Sequence, residues 1–151
     1  MCGTTRDQQC FTSQSSTLAS YISSNANDGV KISGFSHTDG QGSTDPWWMV
    51  DFGSSLAVAS GMVWGRYDGC CESRMDGFEV WIGTNPNYPA GNGNSMCFVD
   101  TANDQDYAPY TQAFSCIGIG RYLFVVLPGT NRILTLTEVE VYPPATGLCA
   151  C

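Results

Sequence analysis

Positive charge is scarce in this chain. Of its 151 residues only six are Lys or Arg (Arg6, Lys31, Arg66, Arg74, Arg121 and Arg132), against 14 Asp and Glu, and the formal net charge is -8. Nucleic acid and anionic membrane surfaces would meet net repulsion, which argues against both as partners. Histidine is scarcer still, with His37 alone. No segment approaches the ~20 consecutive apolar residues that span a bilayer, so membrane insertion is not expected. Met1-Cys2-Gly3 runs directly into polar sequence, without the apolar stretch of a signal peptide. There is no Asn-x-Ser/Thr sequon, so glycosylation gives no independent support for secretion. No Ser-His-Asp grouping, phosphate-binding glycine loop or zinc signature is visible, and no catalytic residue is assigned.

What is present describes a compact domain. Hydrophobic residues make up 42% of the chain and charged residues only 13%, which excludes a disordered tail. The length suits one domain, residues 1–151, with a core over 11–142 and cysteine-bearing extensions at 1–10 and 143–151. Seventeen glycines and seven prolines leave little room for helices. Between them lie short β-type runs: "WWMVDFG", "ASGMVWG", "GFEVWIG", "RYLFVVLPG" and "ILTLTEVEVYPP". "RYLFVVL" is continuously apolar after its arginine and suits a central strand buried on both faces. In the last run Leu134, Leu136, Val139 and Val141 alternate with polar residues except for a slip near Thr137-Glu138, where a β-bulge would fit. Short strands between turn signals predict an all-β fold, an antiparallel β-sandwich. The polar stretch 15–45 and the segment Thr84–Met96 read as long loops, which are usually functional or held by something.

The eight cysteines are Cys2, Cys10, Cys70, Cys71, Cys97, Cys116, Cys149 and Cys151. An even count at this density points to disulfides and an oxidising, extracellular or cell-surface compartment. The C-terminal "CAC" and the central "CC" lack the paired C-x2-C spacing of zinc modules. Each end of the chain carries two cysteines, and sandwich termini often lie close together. Cross-pairing of Cys2, Cys10, Cys149 and Cys151 would then tie the ends, worth on the order of 4 kcal/mol in the chain-entropy model.

The stretch "GRYDGCCESRMDG" concentrates the rare chemistry. Adjacent Cys70 and Cys71 could close an eight-membered ring, bridge to separate partners, or remain free for redox work. Arg66 and Arg74 flank them with planar forks of donors, suited to neighbouring oxygens in a carboxylate, a phosphate or vicinal sugar hydroxyls. Asp68 would orient a nearby arginine, or simply make a weak surface ion pair. The bland reading of both arginines is a solvated face, and that of His37 is a loop histidine bonded to the backbone.

The order of motifs goes further. "SQSS", "SNANDG", "SHT", "PWWMVDFG", "RYDGCCESRMDG", "GRYLFVVL" and "LTLTEVEVY" together resemble the F-type lectins, the family of eel agglutinin, over roughly Phe11 to Tyr142. The resemblance implies the discoidin-like, galactose-binding-like jelly roll and a sugar site. It implies that His37, Arg66 and Arg74 bond the hydroxyls and ring oxygen of fucose, that Asp68 aims the arginines, and that a Cys70–Cys71 disulfide lies under the sugar's apolar edge. It implies a structural calcium ion held by the Asn25 carbonyl, the Asp28 carboxylate, the Val30 carbonyl, the Thr137 carbonyl and the Glu138 carboxylate, with a ligand near Ser33 or Gly34. Oxygen-only donors with two carboxylates suit that hard cation. It also implies a Cys97–Cys116 disulfide. The chain departs from the family in three places. Gly69 is an extra residue between Asp68 and Arg74, Phe35 and Thr137 stand where relatives carry a disulfide, and the four terminal cysteines are added.

The function implied is a non-catalytic lectin domain for L-fucose or fucosylated glycans and glycoproteins, with avidity from an oligomer or a larger parent protein. The alternative is the same sandwich adapted to protein–protein adhesion, with sugar binding altered or lost.

Overall fold

The computed structural model describes residues 10–87, 91–101 and 110–145. Its strands are β1 (Phe11–Gln14), β2 (Ser36–His37), β3 (Trp47–Trp64), β4 (Glu79–Gly83), β5 (Asn94–Val99), β6 (Thr111–Val126), β7 (Thr135–Leu136) and β8 (Glu138–Tyr142). All pairings are antiparallel. The large sheet runs β1-β3-β6-β4-β5, with β8 also on β3, and β2 pairs with β7 in a small second sheet. Among the described residues there is no α-helix, and two short 3-10 turns occur at Ser23–Ala26 and Glu72–Met75. Among the described residues no helix is long and apolar enough to cross a membrane.

Strand periodicity places the core. Trp48 and Val50 on β3, with Leu123 and Val125 on β6, point to one side and bury against Phe78, Leu127, Leu134 and Leu136. Their neighbours Met49, Phe124 and Val126 point to the other side, under Trp47 and Trp81. The expected central strand is therefore covered on both faces, and Leu123 and Phe124 are each fully buried. Burying side chains of this size stabilises by about 1.5–3 kcal/mol each.

The sequence reading needs adjustment at four places. "WWMVDFG" and "ASGMVWG" are not separate strands but the two ends of the 18-residue β3, whose pairing with β6 slips between Asp51 and Leu56 and again between Val58 and Ser60. The first ten residues of β6, Thr111–Gly120, carry no strong strand signal because hydropathy does not follow burial there: Ile117 and Ile119 are exposed while glycines fill the inward positions 118 and 120. The loop from Thr84 ends earlier than expected, since β5 begins at Asn94. The slip at Thr137-Glu138 is more than a bulge: β7 belongs to the small sheet and β8 to the large one. Thr137 makes the crossing fully buried, its N–H donating to the Trp64 carbonyl at 2.7 Å and its hydroxyl to the Gly65 carbonyl at 2.6 Å.

The Cys97–Cys116 disulfide is formed, tying β5 to β6. Cys10 is disulfide-bonded. Cys2, Cys149 and Cys151 lie outside the described residues, and so does the expected pairing of the two ends.

Candidate functional site

The site forms where β3 ends and the small sheet begins. "SHT" is a built unit there. The Ser36 hydroxyl donates to the Leu136 carbonyl, and Thr38 exchanges bonds with Leu134 through both its backbone and its hydroxyl. His37, between them, is only 5% exposed. Its Nδ1 lies 2.6 Å from the Thr38 carbonyl oxygen. A carbonyl can only accept, so Nδ1 carries the proton and the neutral ring presents Nε2 as an acceptor. Burial, and the charges of Arg74 and Arg66 nearby, hold the His37 pKa below its ordinary 6.5, while the Thr38 bond opposes them. The bland expectation is thus half right. His37 is bonded to the backbone, and that bond is what fixes the tautomer facing the arginines.

Arg66 and Asp68 form a two-pronged pair, Nε donating to Oδ1 at 3.0 Å and Nη2 to Oδ2. The pairing holds the Arg66 pKa above its usual value and the Asp68 carboxyl below its own. The guanidinium also lies over the Phe35 ring, 4.8 Å from its centroid. Clamped edge-on by Asp68 and face-on by Phe35, it has N–H groups left over that make no hydrogen bond among the described residues. Cys70 and Cys71 are bonded to each other, with Cα atoms 3.7 Å apart, which settles the three-way choice left by the sequence. Gly69 and Cys71 both take left-handed backbone, at φ +73° and +70°. The extra residue is therefore one at which glycine carries little strain.

Arg74 follows in the 3-10 turn Glu72–Met75, its N–H donating to the Cys71 carbonyl. Its guanidinium has no hydrogen-bond or ion-pair partner among the described residues, and partial burial beside Arg66 lowers its pKa. Lys31 pairs with Glu140, and Arg121 with Asp51. Arg132 serves the backbone, donating to the carbonyls of Pro128 and Arg74 at 3.3 Å and of Asp76 at 2.7 Å. Among the described residues Arg74 is thus left as an unpaired cation near His37 and Arg66, with Arg132 bonded to its backbone carbonyl.

The expected calcium loop lies along the edge of the same region. The Asn25 amide donates to the Phe35 carbonyl, and the Asp28 carboxylate accepts from the Val30 N–H. Glu138 is 3% exposed, so it does not face solvent, and its Oε2 accepts from the Gly29 N–H at 2.9 Å. Burial pushes its pKa up to about 7, and the charges of Asp28 and Glu140 add to the rise. Two carboxylates from opposite ends of the chain, Asp28 and the buried Glu138, thus lie close enough to act on each other. Among the described residues no three His, Cys, Asp or Glu side chains converge. Of the expected donor set, Asp28 and Glu138 are the two members brought together through side-chain charge. Ser33 is exposed and Gly34 has φ +72°, with no contact that ties either to the carboxylates.

The sequence reading missed four supporting residues. Gln14 donates to the carbonyls of Tyr21 and His37. Tyr21 stacks on Phe35 with parallel rings 4.7 Å apart. Phe35 thus occupies the position of a lost disulfide as the hinge of an aromatic stack. Arg132 is the fourth. No local pattern signals them, because their contacts join segments well apart in the sequence.

Comparisons place this geometry among known proteins. The family described as "NedA-like, galactose-binding domain" matches residues 25–125. A fucolectin of Anguilla anguilla is 38% identical over 127 residues, covering 78% of this chain and 74% of its own. A pentraxin fusion protein of Xenopus laevis is 34% identical over 107 residues, 70% of this chain and 24% of its own. Among solved structures, the fucolectin of striped bass (Morone saxatilis) serum superposes with a TM-score of 0.75 at 34% identity, over 91% of this chain and 46% of that one. The lectin domain of lectinolysin, solved with Lewis B antigen, gives 0.71 at 27% identity, over 90% and 94%. The chain therefore spans a quarter to a half of some relatives and most of others.

Proposed function

The chain belongs to the fucolectin family, lectins that bind carbohydrate without catalysis, and from that premise we propose that it recognises L-fucose, free or at the end of a glycan. The observation that carries the reading is that Arg66 and Arg74, which flank the Cys70–Cys71 disulfide in one loop, both lie close enough to His37 to act on it, Arg66 by way of the Phe35 ring that sits beside His37. His37 Nε2 is the acceptor for a sugar hydroxyl. The two guanidinium groups are the donors to adjacent sugar oxygens, and the disulfide is a small apolar shelf for the C–H edge. A monosaccharide offers few atoms, so a Kd of roughly 10–1000 μM is expected. Calcium is part of the proposal. Asp28, Glu138, and the carbonyls of Asn25, Val30 and Thr137 would hold it, with Ser33 the weakest candidate. Bound there it would neutralise the two carboxylates and stiffen the loop that leads to Phe35 and His37. We place the protein outside the cell on the same premise, with fucosylated glycoproteins as partners.

A glycan array with and without a chelator tests the reading. Fucosylated glycans should bind, and binding should vanish in Arg66→Ala. No signal on the array, with a protein partner still captured after its deglycosylation, would favour the adhesion-module alternative instead.

A further inference from the structure

Tyr21 and Phe35 were not among the residues expected to bind sugar, yet they form one wall of the site. Their rings are parallel, and each centroid lies about as far from the His37 ring, 6.0 Å for Tyr21 and 6.1 Å for Phe35. The wall is fixed in place. The Tyr21 carbonyl accepts from the His37 N–H and from Gln14, whose side-chain amide also reaches Thr17 and the His37 carbonyl. Phe35 is pinned by the Arg66 guanidinium. Tyr21 itself is 37% exposed, and its hydroxyl has no partner among the described residues. Its phenol is close enough to Arg66 to act on it electrostatically. The result is a rigid, half-exposed aromatic side chain with a free polar tip, at the rim of a site whose own shelf is the disulfide.

That combination matches the face of a pyranose ring, which carries C–H groups in the middle and hydroxyls around its edge. Aromatic side chains are suited to such amphipathic surfaces because they offer apolar area beside a polar tip at little rotamer cost. A sugar between the arginines has its own ring occupied by His37, Arg66, Arg74 and the disulfide. The next ring along the glycan is the one that can reach the rim. We propose that the Tyr21–Phe35 stack is a second saccharide subsite, taking the apolar face of the pyranose to which the terminal sugar is linked. Tyr21 makes the contact and Phe35 holds it in place. This rests on the reading of the main site as a fucose site.

The test measures Kd by calorimetry for L-fucose and for a set of α-linked fucosyl-hexose disaccharides, and takes the ratio of the two. The wild-type chain should bind at least one disaccharide several-fold more tightly than L-fucose. Tyr21→Ala should cut that ratio about fivefold or more, and Tyr21→Phe should keep most of it, since the ring supplies the contact. If Tyr21→Ala binds L-fucose with an unaltered ratio, the subsite is overturned while the main site stands. If the wild-type chain binds no fucose at all, the main reading fails and takes the subsite with it. Should Tyr21→Ala fail to fold, saturation-transfer NMR on the wild-type protein decides. Irradiating its aromatic protons should label the C–H groups of the second ring, and labelling confined to fucose would overturn the subsite.

Discussion

At the scale of single residues, His37 shows how one hydrogen bond decides a role. The Thr38 carbonyl accepts from the Nδ1 N–H, so the free nitrogen is an acceptor, and burial, reinforced by the two arginines, makes a second proton costly. A pH dependence follows. The folded-state pKa of His37 lies below 6.5, so between that value and 6.5 the unfolded chain binds a proton that the folded chain does not. Stability from this group is complete above pH 6.5 and is lost as the pH falls through the folded-state pKa. Sugar affinity should fall in the same direction, as Nε2 gains a proton. Thermal unfolding and calorimetry over pH 4.5–7.5 would check both, and His37→Gln should remove the part of the stability slope that this residue contributes. An affinity that does not change over that range would take His37 out of the site.

At the scale of elements, the loop between β3 and β4 carries Arg66, Asp68, the disulfide and Arg74, and it is clamped at each end. Thr137 bonds its start through the Gly65 carbonyl, and Arg132 bonds its end through the carbonyls of Arg74 and Asp76. Lysine cannot span the three carbonyls that Arg132 reaches, because its ammonium is a point donor without the fork. Arg132→Lys should therefore lower fucose affinity about tenfold, or ~1.4 kcal/mol. Calorimetry reads the loss, and the Arg74 side-chain NMR signal should shift with it. The two described disulfides should separate cleanly. Cys97–Cys116 closes a loop between β5 and β6 with a sequence separation of 19. Replacing both by alanine should cost about 3 kcal/mol in the chain-entropy model, measured by urea unfolding, with sugar binding intact. Replacing Cys70 and Cys71 by serine closes no comparable loop, so stability should change little while sugar affinity drops. Equal effects of the two pairs on stability would contradict this division.

At the scale of the whole molecule, the proposed ion and sugar sites are mechanically joined. Glu138 opens β8 immediately after Thr137, which grips the start of the arginine loop, and Asn25 on the ion side bonds the Phe35 carbonyl on the sugar side. Millimolar calcium should raise the melting temperature and strengthen sugar binding together. Saturation at a hundred times Kd corresponds to about 2.7 kcal/mol. Glu138→Gln gives a signature with two signs. Without calcium it should stabilise, because it removes a buried carboxylate, and it should abolish the response to calcium. A calcium response that survives the substitution would move the ion elsewhere. The fold and much of the site were legible in the sequence because they are written locally. The unbroken apolar run in "RYLFVVL" sets a strand buried on both faces, and the spacing of Arg66, Asp68, Cys70, Cys71 and Arg74 keeps those side chains within one loop. By itself the sequence determined the class of fold, the acidic surface and the inventory of rare cations and cysteines, since composition and short-range order suffice for these. Only the tertiary structure decided that β3 is one long strand, that Glu138 is buried against Asp28, that Arg132 braces Arg74, and that Tyr21 and Phe35 wall the site. Each of these joins residues far apart in the chain or depends on burial, and neither property has a local signal to read.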